Sequence, residues 1–222
     1  MTMPKNILLV TTMRSGTHLV KTALENYQER RTPPTISDLD LDEINFYSNG
    51  FTQNLYVTHF DYLEKWAPGK LDRLNLIIKN RNIYVVFLDR KDFKQLVLSR
   101  AIADQLGWQA NSKKFKNKIR LKKSNLEQAY KNTVRLKYYN NLDRIPLTVH
   151  QKIYYEDVLE NGLFINNQEI PMDLFIPSDY KLSVIRNPPK SESITNYDQV
   201  LKWMEEFSKV YNEDWVPFIR WG

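Results

Sequence analysis

Apolar residues in this chain fall into two patterns. Short unbroken runs such as Ile7-Leu8-Leu9-Val10 and Ile83-Tyr84-Val85-Val86-Phe87-Leu88 suit parallel strands buried on both faces. Leu55-Tyr56-Val57-Thr58 and Lys152-Ile153-Tyr154-Tyr155 read as further strands, the first delivering His59 at its C-terminal end. Between them the spacing turns helical: Leu19, Val20, Ala23, Leu24 and Tyr27 recur on one face, and Phe93, Leu96, Val97, Arg100 and Ala101 on another. The pattern also predicts helices over 71–80, 124–139 and 197–211. Ser124 with Glu127 three residues on makes a capping-box start for the second of these. Leu163 to Ile170 reads as a hairpin around Asn166-Asn167, while Arg31-Thr32-Pro33-Pro34-Thr35 and the acidic stretch from Ser37 to Asn49 read as irregular.

Strands alternating with helices predict an α/β fold: three layers, with a mostly parallel central sheet and helices on both faces. A chain of 222 residues fits a single domain over 1–222. Ligands of such sheets bind beyond the C-terminal ends of the strands. Arg14 to Thr17, His59 and Arg90 all fall at such ends.

Composition narrows the chemistry. The chain has no cysteine, which excludes a disulfide framework and a thiolate metal site. Its longest apolar runs fall well short of the roughly 20 residues that span a bilayer. Met1-Thr2-Met3-Pro4-Lys5 leads directly into a strand without the apolar region of a signal peptide, so a cytoplasmic protein is expected. The net charge of +6 is compatible with an anionic small molecule, a nucleic acid or an anionic membrane surface, and selects none of them.

Thr12-Met13-Arg14-Ser15-Gly16-Thr17 joins the first strand to the first helix. Such a turn aims backbone N–H groups and the positive end of the helix dipole at one point. Gly16 allows close approach, Arg14 adds a permanent cation, and Ser15 and Thr17 add hydroxyl donors. An ordinary turn with a helix cap explains the same residues. There is no G-x-x-x-x-G-K-[ST] and no G-x-G-x-x-G, which argues against a standard ATP or GTP loop and against a dinucleotide fold. A second anion site is suggested where Arg90 ends the strongest strand and Ser99 follows on the next helix, since an Arg fork and a hydroxyl can share one phosphate. A surface Arg90 paired with Asp89 or Asp92 is the alternative.

Taken together, these segments resemble the sulfotransferases that use 3′-phosphoadenosine-5′-phosphosulfate (PAPS). Thr11-Thr12-Met13-Arg14-Ser15-Gly16-Thr17 is similar to their 5′-phosphosulfate loop, T-x-x-[KR]-S-G-[ST]. Val85 to Asp92 through Ser99-Arg100-Ala101 looks like their 3′-phosphate motif, and Leu55-Tyr56-Val57-Thr58-His59-Phe60 like the K-T-H-L segment of cytosolic members. Ile153-Tyr154-Tyr155-Glu156-Asp157 resembles the strand ending Y-E-D in bacterial carbohydrate sulfotransferases. The motifs keep the family's order over roughly residues 5 to 160. The Arg90-to-Ser99 spacing is one residue longer than the commonest one and matches the trehalose-type bacterial branch. The late R-K-G-x-x-G segment is absent, with Arg186 and Lys190 as candidate replacements. Leu19 stands in place of the adenine-stacking Trp of cytosolic members, and Trp108 is a candidate substitute.

The resemblance implies a P-loop-like fold without a metal, and in-line transfer of a sulfuryl group from PAPS to a hydroxyl of a carbohydrate or other small acceptor. Arg14, Ser15, Gly16, Thr17, His18, Arg90, Ser99 and Arg186 would hold the nucleotide, and Arg14 would also steady the leaving phosphate. His59 would be the general base, a role its unperturbed pKa of about 6.5 suits; a strand-end histidine in a structural hydrogen bond is the alternative. Glu29, Asp38, Asp40 and Asp42 are further candidate bases. His150 has no supporting context. The basic stretch Lys113 to Lys123 reads as a solvated face or an attractor of anionic acceptors. No nucleic-acid partner is expected; a kinase-like P-loop enzyme and a non-catalytic nucleotide- or nucleic-acid-binding protein remain the other readings.

Overall fold

The computed structural model describes residues 2–27, 40–49, 53–63, 68–106, 118–139, 147–171 and 190–218. Glu29, Asp38, Trp108, Arg186 and the first lysines of the basic stretch lie outside these residues. The chain divides into two compact units, Met1–Lys91 with Leu142–Pro177, and Asp92–Asn141 with Ser178–Gly222.

The first unit is built on a four-stranded sheet of β1 (Asn6–Thr11), β2 (Asn54–His59), β3 (Ile83–Asp89) and β4 (Gln151–Tyr154), in the order β2-β1-β3-β4. Every pairing is parallel, so the mostly parallel sheet expected from the sequence is parallel throughout. The unbroken apolar runs explain this. All six residues of β1 are buried. Consecutive strand residues point to opposite faces, so both faces of β1 are covered. Full burial of an aliphatic side chain contributes about 1.5–3 kcal/mol, and Ile7, Leu8, Leu9 and Val10 are each at most 1% exposed. Register places Thr11 beside His59 on one side and Leu88 on the other, and Asp89 beside Tyr154. The strands therefore end level, and their C-terminal residues share one edge.

Among the described residues this unit has the helices α1 (Thr17–Asn26), α2 (Leu41–Tyr47), α3 (Phe60–Leu63), α4 (Pro68–Asn80) and, after α5 and α6 of the second unit, α7 (Tyr155–Asn161). Two differ from the sequence reading. The acidic stretch read as irregular contains α2, capped by the Asp40 carboxylate accepting from the Asp42 and Glu43 amides at 2.8 and 3.2 Å. Tyr155, read as the end of a strand, instead opens α7 directly after β4. The expected hairpin is present as β5 (Leu163–Ile165) and β6 (Gln168–Ile170), with Asn166 and Asn167 at positive φ.

At the N-terminal end of the sheet, polar side chains close on one another. Asn54 Nδ2 donates to Asn6 Oδ1 at 2.9 Å and to the Tyr47 carbonyl at 3.0 Å. Ser48 Oγ donates to the Ile44 carbonyl at 2.6 Å and lies 3.0 Å from Tyr56 Oη. His150, just before β4, accepts the Val85 amide on Nδ1 at 3.0 Å and stacks on Tyr84.

The second unit contains α5 (Phe93–Gln105), α6 (Lys123–Tyr139), α8 (Lys190–Ser193) and α9 (Tyr197–Val210) around a core that includes Leu98, Leu126, Val200 and Phe207. Helix α6 begins at Lys123, so Ser124 lies inside its first turn. Glu127 pairs with Lys131 at 2.7 Å and accepts from Tyr211 Oη at 2.5 Å. The described end of the basic stretch is pinned by Gln105, which donates to the Arg120 carbonyl and accepts the Lys122 amide. Among the described residues no helix is long and apolar enough to cross a membrane.

Candidate functional site

The C-terminal edge of the first unit's sheet gathers Thr11 to Thr17, His59, Asp89, Arg90 and the first turn of α7. The loop after β1 is held from inside. Thr12 donates its amide to the Leu88 carbonyl at 3.1 Å and its hydroxyl to Asp89 Oδ1 at 3.3 Å. Asp89 is 2% exposed, and Lys152 Nζ lies 3.7 Å from its other oxygen. Ser15 returns both its amide and its hydroxyl to the Thr12 carbonyl, at 3.2 and 2.6 Å. The hydroxyls of Ser15 and Thr17, read from sequence as ligand donors, thus order the loop itself here: Thr17 Oγ1 donates to Thr11 Oγ1 at 2.9 Å.

Two backbone positions set the loop's shape. Arg14 adopts φ 70° and Gly16 φ 88°. The left-handed region costs a non-glycine residue roughly 1–2 kcal/mol, and such positions concentrate at ligand-binding turns. Gly16 is the N-cap of α1, and no side chain caps that helix start. The ordinary turn with a helix cap, the competing explanation, has Gly16 in the cap position. The amides of Thr17 and His18 stand where a helix offers no carbonyl partner. Gly16 has a second constraint: a Cβ there would fall inside the ring of Tyr155.

Arg90 follows β3 and meets the loop. Its Nη1 donates to the Arg14 carbonyl at 3.4 Å. Its Nε lies 3.3 Å from Glu156 Oε1, and its guanidinium sits 5.2 Å from the centroid of the Tyr155 ring. Glu156, a residue that sequence reasoning had placed only within a strand-end motif, is thus an ionic partner of Arg90. Desolvation, and then the nearby Arg90 cation, lower the pKa of Arg14 below the ordinary arginine value. Two arginines held this close favour a shared anion. His18, on the first turn of α1, is lowered by desolvation and by Lys21 and Arg14, with Glu25 opposing. Burial raises Tyr155 above the usual tyrosine value.

His59 is half-buried, and its Nδ1 lies 2.8 Å from Thr11 Oγ1. Thr11 in turn receives the Thr17 hydroxyl, so a chain of two hydrogen bonds joins the histidine to the start of α1. In the tautomer with Nδ1–H donating to Thr11, the lone pair stands on Nε2, the form that a general base requires.

The structure thus brings together Arg14, Ser15, Gly16, Thr17, His18, His59 and Arg90 in the first unit. Ser99 belongs to α5 of the second unit, where it is buried. Asp40 caps α2, and Asp42 forms an ion pair with Arg73. Thr11, Tyr155 and Glu156 are the site residues that sequence reasoning left without a role. An acidic residue in a helix's first turn was the available signal for Glu156, masked by reading the segment as strand. Among the described residues no group of three or more His, Cys, Asp or Glu side chains is placed to hold a metal ion.

No protein-family model matches the chain, and no curated protein matches it. Two of the solved structures to which the chain is similar follow. Retinol dehydratase in a complex with retinol and PAP has a TM-score of 0.41 and 13% identity, over 100% of this chain and 84% of that one. Mouse sulfotransferase SULT7A1 complexed with PAP has a TM-score of 0.31 and 12% identity, over 92% of this chain and 90% of that one.

Proposed function

We propose that the C-terminal edge of the first unit's sheet binds PAPS and that the protein transfers its sulfuryl group to a hydroxyl acceptor. The observation that carries this reading is the start of α1: a helix without a side-chain cap, entered through Arg14 at positive φ, with Arg90 bonded to the Arg14 carbonyl. An anion completes such a terminus, and Arg90 brings a second cation to the Arg14 loop. When bound, PAPS supplies an activated sulfuryl group on a phosphate leaving group. Arg14 and the first amides of α1 hold that phosphate and offset the charge it gains, while Arg90 takes the 3′-phosphate. His59 Nε2 receives the acceptor's hydroxyl proton in the tautomer that carries its own proton on Nδ1, 2.8 Å from Thr11 Oγ1. Ser99 and Arg186 join this assignment on the sequence resemblance. The acceptor is proposed to be a carbohydrate or another small alcohol, by the same resemblance.

Calorimetric titration with adenosine 3′,5′-bisphosphate tests the reading. The wild type should bind, and Arg14→Ala should bind about 100-fold more weakly with its thermal midpoint little changed. Absence of wild-type binding at millimolar ligand rejects the proposal. Unchanged binding by the variant rejects Arg14 as the anchor.

A further inference from the structure

The first turn of α7 touches both proposed anion-holding segments. Glu156 uses one carboxylate oxygen on the Arg90 side chain, at 3.3 Å, and the other to accept the Lys91 amide at 2.9 Å. Lys91 Nζ also pairs with Asp157. Tyr155, the residue before Glu156, lies under the Arg90 guanidinium and against Gly16. Burial is part of the arrangement: the Arg90 side chain is 18% exposed and that of Glu156 31%. Arg90 follows the end of β3 and has a long, rotamer-rich side chain. Ordering such a side chain costs conformational entropy, and a group ordered before the ligand arrives binds it more tightly.

We propose that Glu156 is the positioning residue for Arg90. It fixes the guanidinium at a set distance from the Arg14 loop and so gives the site its preference for a nucleotide carrying a second, 3′ anionic group. The inference rests on the reading of Arg90 as the 3′-phosphate site. It concerns Glu156, which touches the arginine and the Lys91 backbone rather than the reacting atoms. Two effects of Glu156 oppose each other. Its charge near the bound phosphate is repulsive, whereas its ion pair with the Arg90 side chain and its hydrogen bond from the Lys91 amide order the fork. The ordering wins, because one carboxylate makes both contacts.

The test is a ratio of affinities, adenosine 3′,5′-bisphosphate against adenosine 5′-monophosphate, measured calorimetrically for the full chain. In the wild type the bisphosphate should bind more tightly. Glu156→Ala should reduce that preference by about tenfold while affinity for the monophosphate holds. Glu156→Gln keeps a single acceptor oxygen and should fall between the two. A ratio also discounts any inactive fraction, and Glu156→Gln serves if the alanine variant does not fold. Three outcomes are decisive. A wild type that does not prefer the bisphosphate overturns the assignment of Arg90, and the proposal with it. A wild-type preference that survives in Glu156→Ala overturns the positioning role alone, as does a preference that grows, since growth means that repulsion wins. A preference that collapses in the order wild type, Gln, Ala supports it.

Discussion

The two ends of the parallel sheet are built from similar strands and do different work. At the N-terminal end Asn6, Asn54, Ser48 and Tyr56 are neutral and buried, and they answer one another and the carbonyls of Ile44 and Tyr47. The C-terminal end carries the cations Arg14 and Arg90, and its backbone is held at positive φ at Arg14 and Gly16. The hydroxyls there tie the loop to itself and leave a helix start without a side-chain cap. At one end the neutral side chains find their partners within the protein. The other end is where the proposed nucleotide would bind. Substitutions at the first end should therefore change stability, and substitutions at the second should change binding.

The largest effect is expected at Gly16. Alanine there would hold a Cβ at φ 88° and drive it into the Tyr155 ring. The strain alone is worth about 1–2 kcal/mol, and the overlap must be relieved by moving Tyr155 or the loop. Either movement displaces the Arg14 carbonyl or Arg90. Gly16→Ala should lose detectable adenosine 3′,5′-bisphosphate binding in a calorimetric titration while the sheet still gives a cooperative melt. Wild-type affinity in this variant would show that the loop's shape does not matter to the ligand, and the contrast between the two ends would lose its basis.

Asn54 probes the opposite end. Its amide donates twice within a site that is 0% exposed. Asn54→Ala leaves the Asn6 and Tyr47 oxygens short of a donor, a loss of about 1–3 kcal/mol. The thermal midpoint should fall, and nucleotide affinity should stay within about twofold at temperatures where the variant is folded. A comparable loss of affinity would mean that the two ends are coupled through the strands.

The sequence made β1, β2, β3 and α1 legible for one physical reason: their apolar residues are continuous or strictly periodic, and nearly all of them are buried. Helix α2 was not legible because only Leu41 and Ile44 anchor it, within an acidic stretch. Its signal was the cap, Asp40 followed by Asp42 and Glu43, rather than the periodicity. Helix α7 was missed because it follows β4 without a linker, so Tyr155 fits both elements. For the site, residue type and strand-end position were enough to select Arg14, His59 and Arg90. The contacts Thr11–His59 and Glu156–Arg90 were not readable, because each depends on parallel register that brings together residues 48 and 66 positions apart. The left-handed Arg14 was not readable either, since glycine is the residue expected to adopt that region.

The smallest expected effect separates the ends by titration. His150 belongs to the closed end: its Nδ1 accepts the Val85 amide, and burial lowers its pKa below 6.5. His18 belongs to the open end and is also lowered, by burial first and then by Lys21 and Arg14. A histidine depressed in the folded state binds fewer protons there than when unfolded, so its contribution to stability is present above 6.5 and is lost as pH falls through the folded value. Both residues should make the thermal midpoint decline on acidification. Only His18 should respond to a nucleotide, because an anion held beside Arg14 favours the protonated ring and raises its pKa. In a proton NMR titration, adenosine 3′,5′-bisphosphate should shift the His18 midpoint upward and leave His150 in place. His150→Asn keeps an acceptor for Val85 but cannot take a proton, so it should flatten the pH dependence of the thermal midpoint without touching the His18 response. Movement of both histidines with ligand would show that charge at the open end reaches the closed one. An unmoved His18 would place the bound phosphate away from the start of α1.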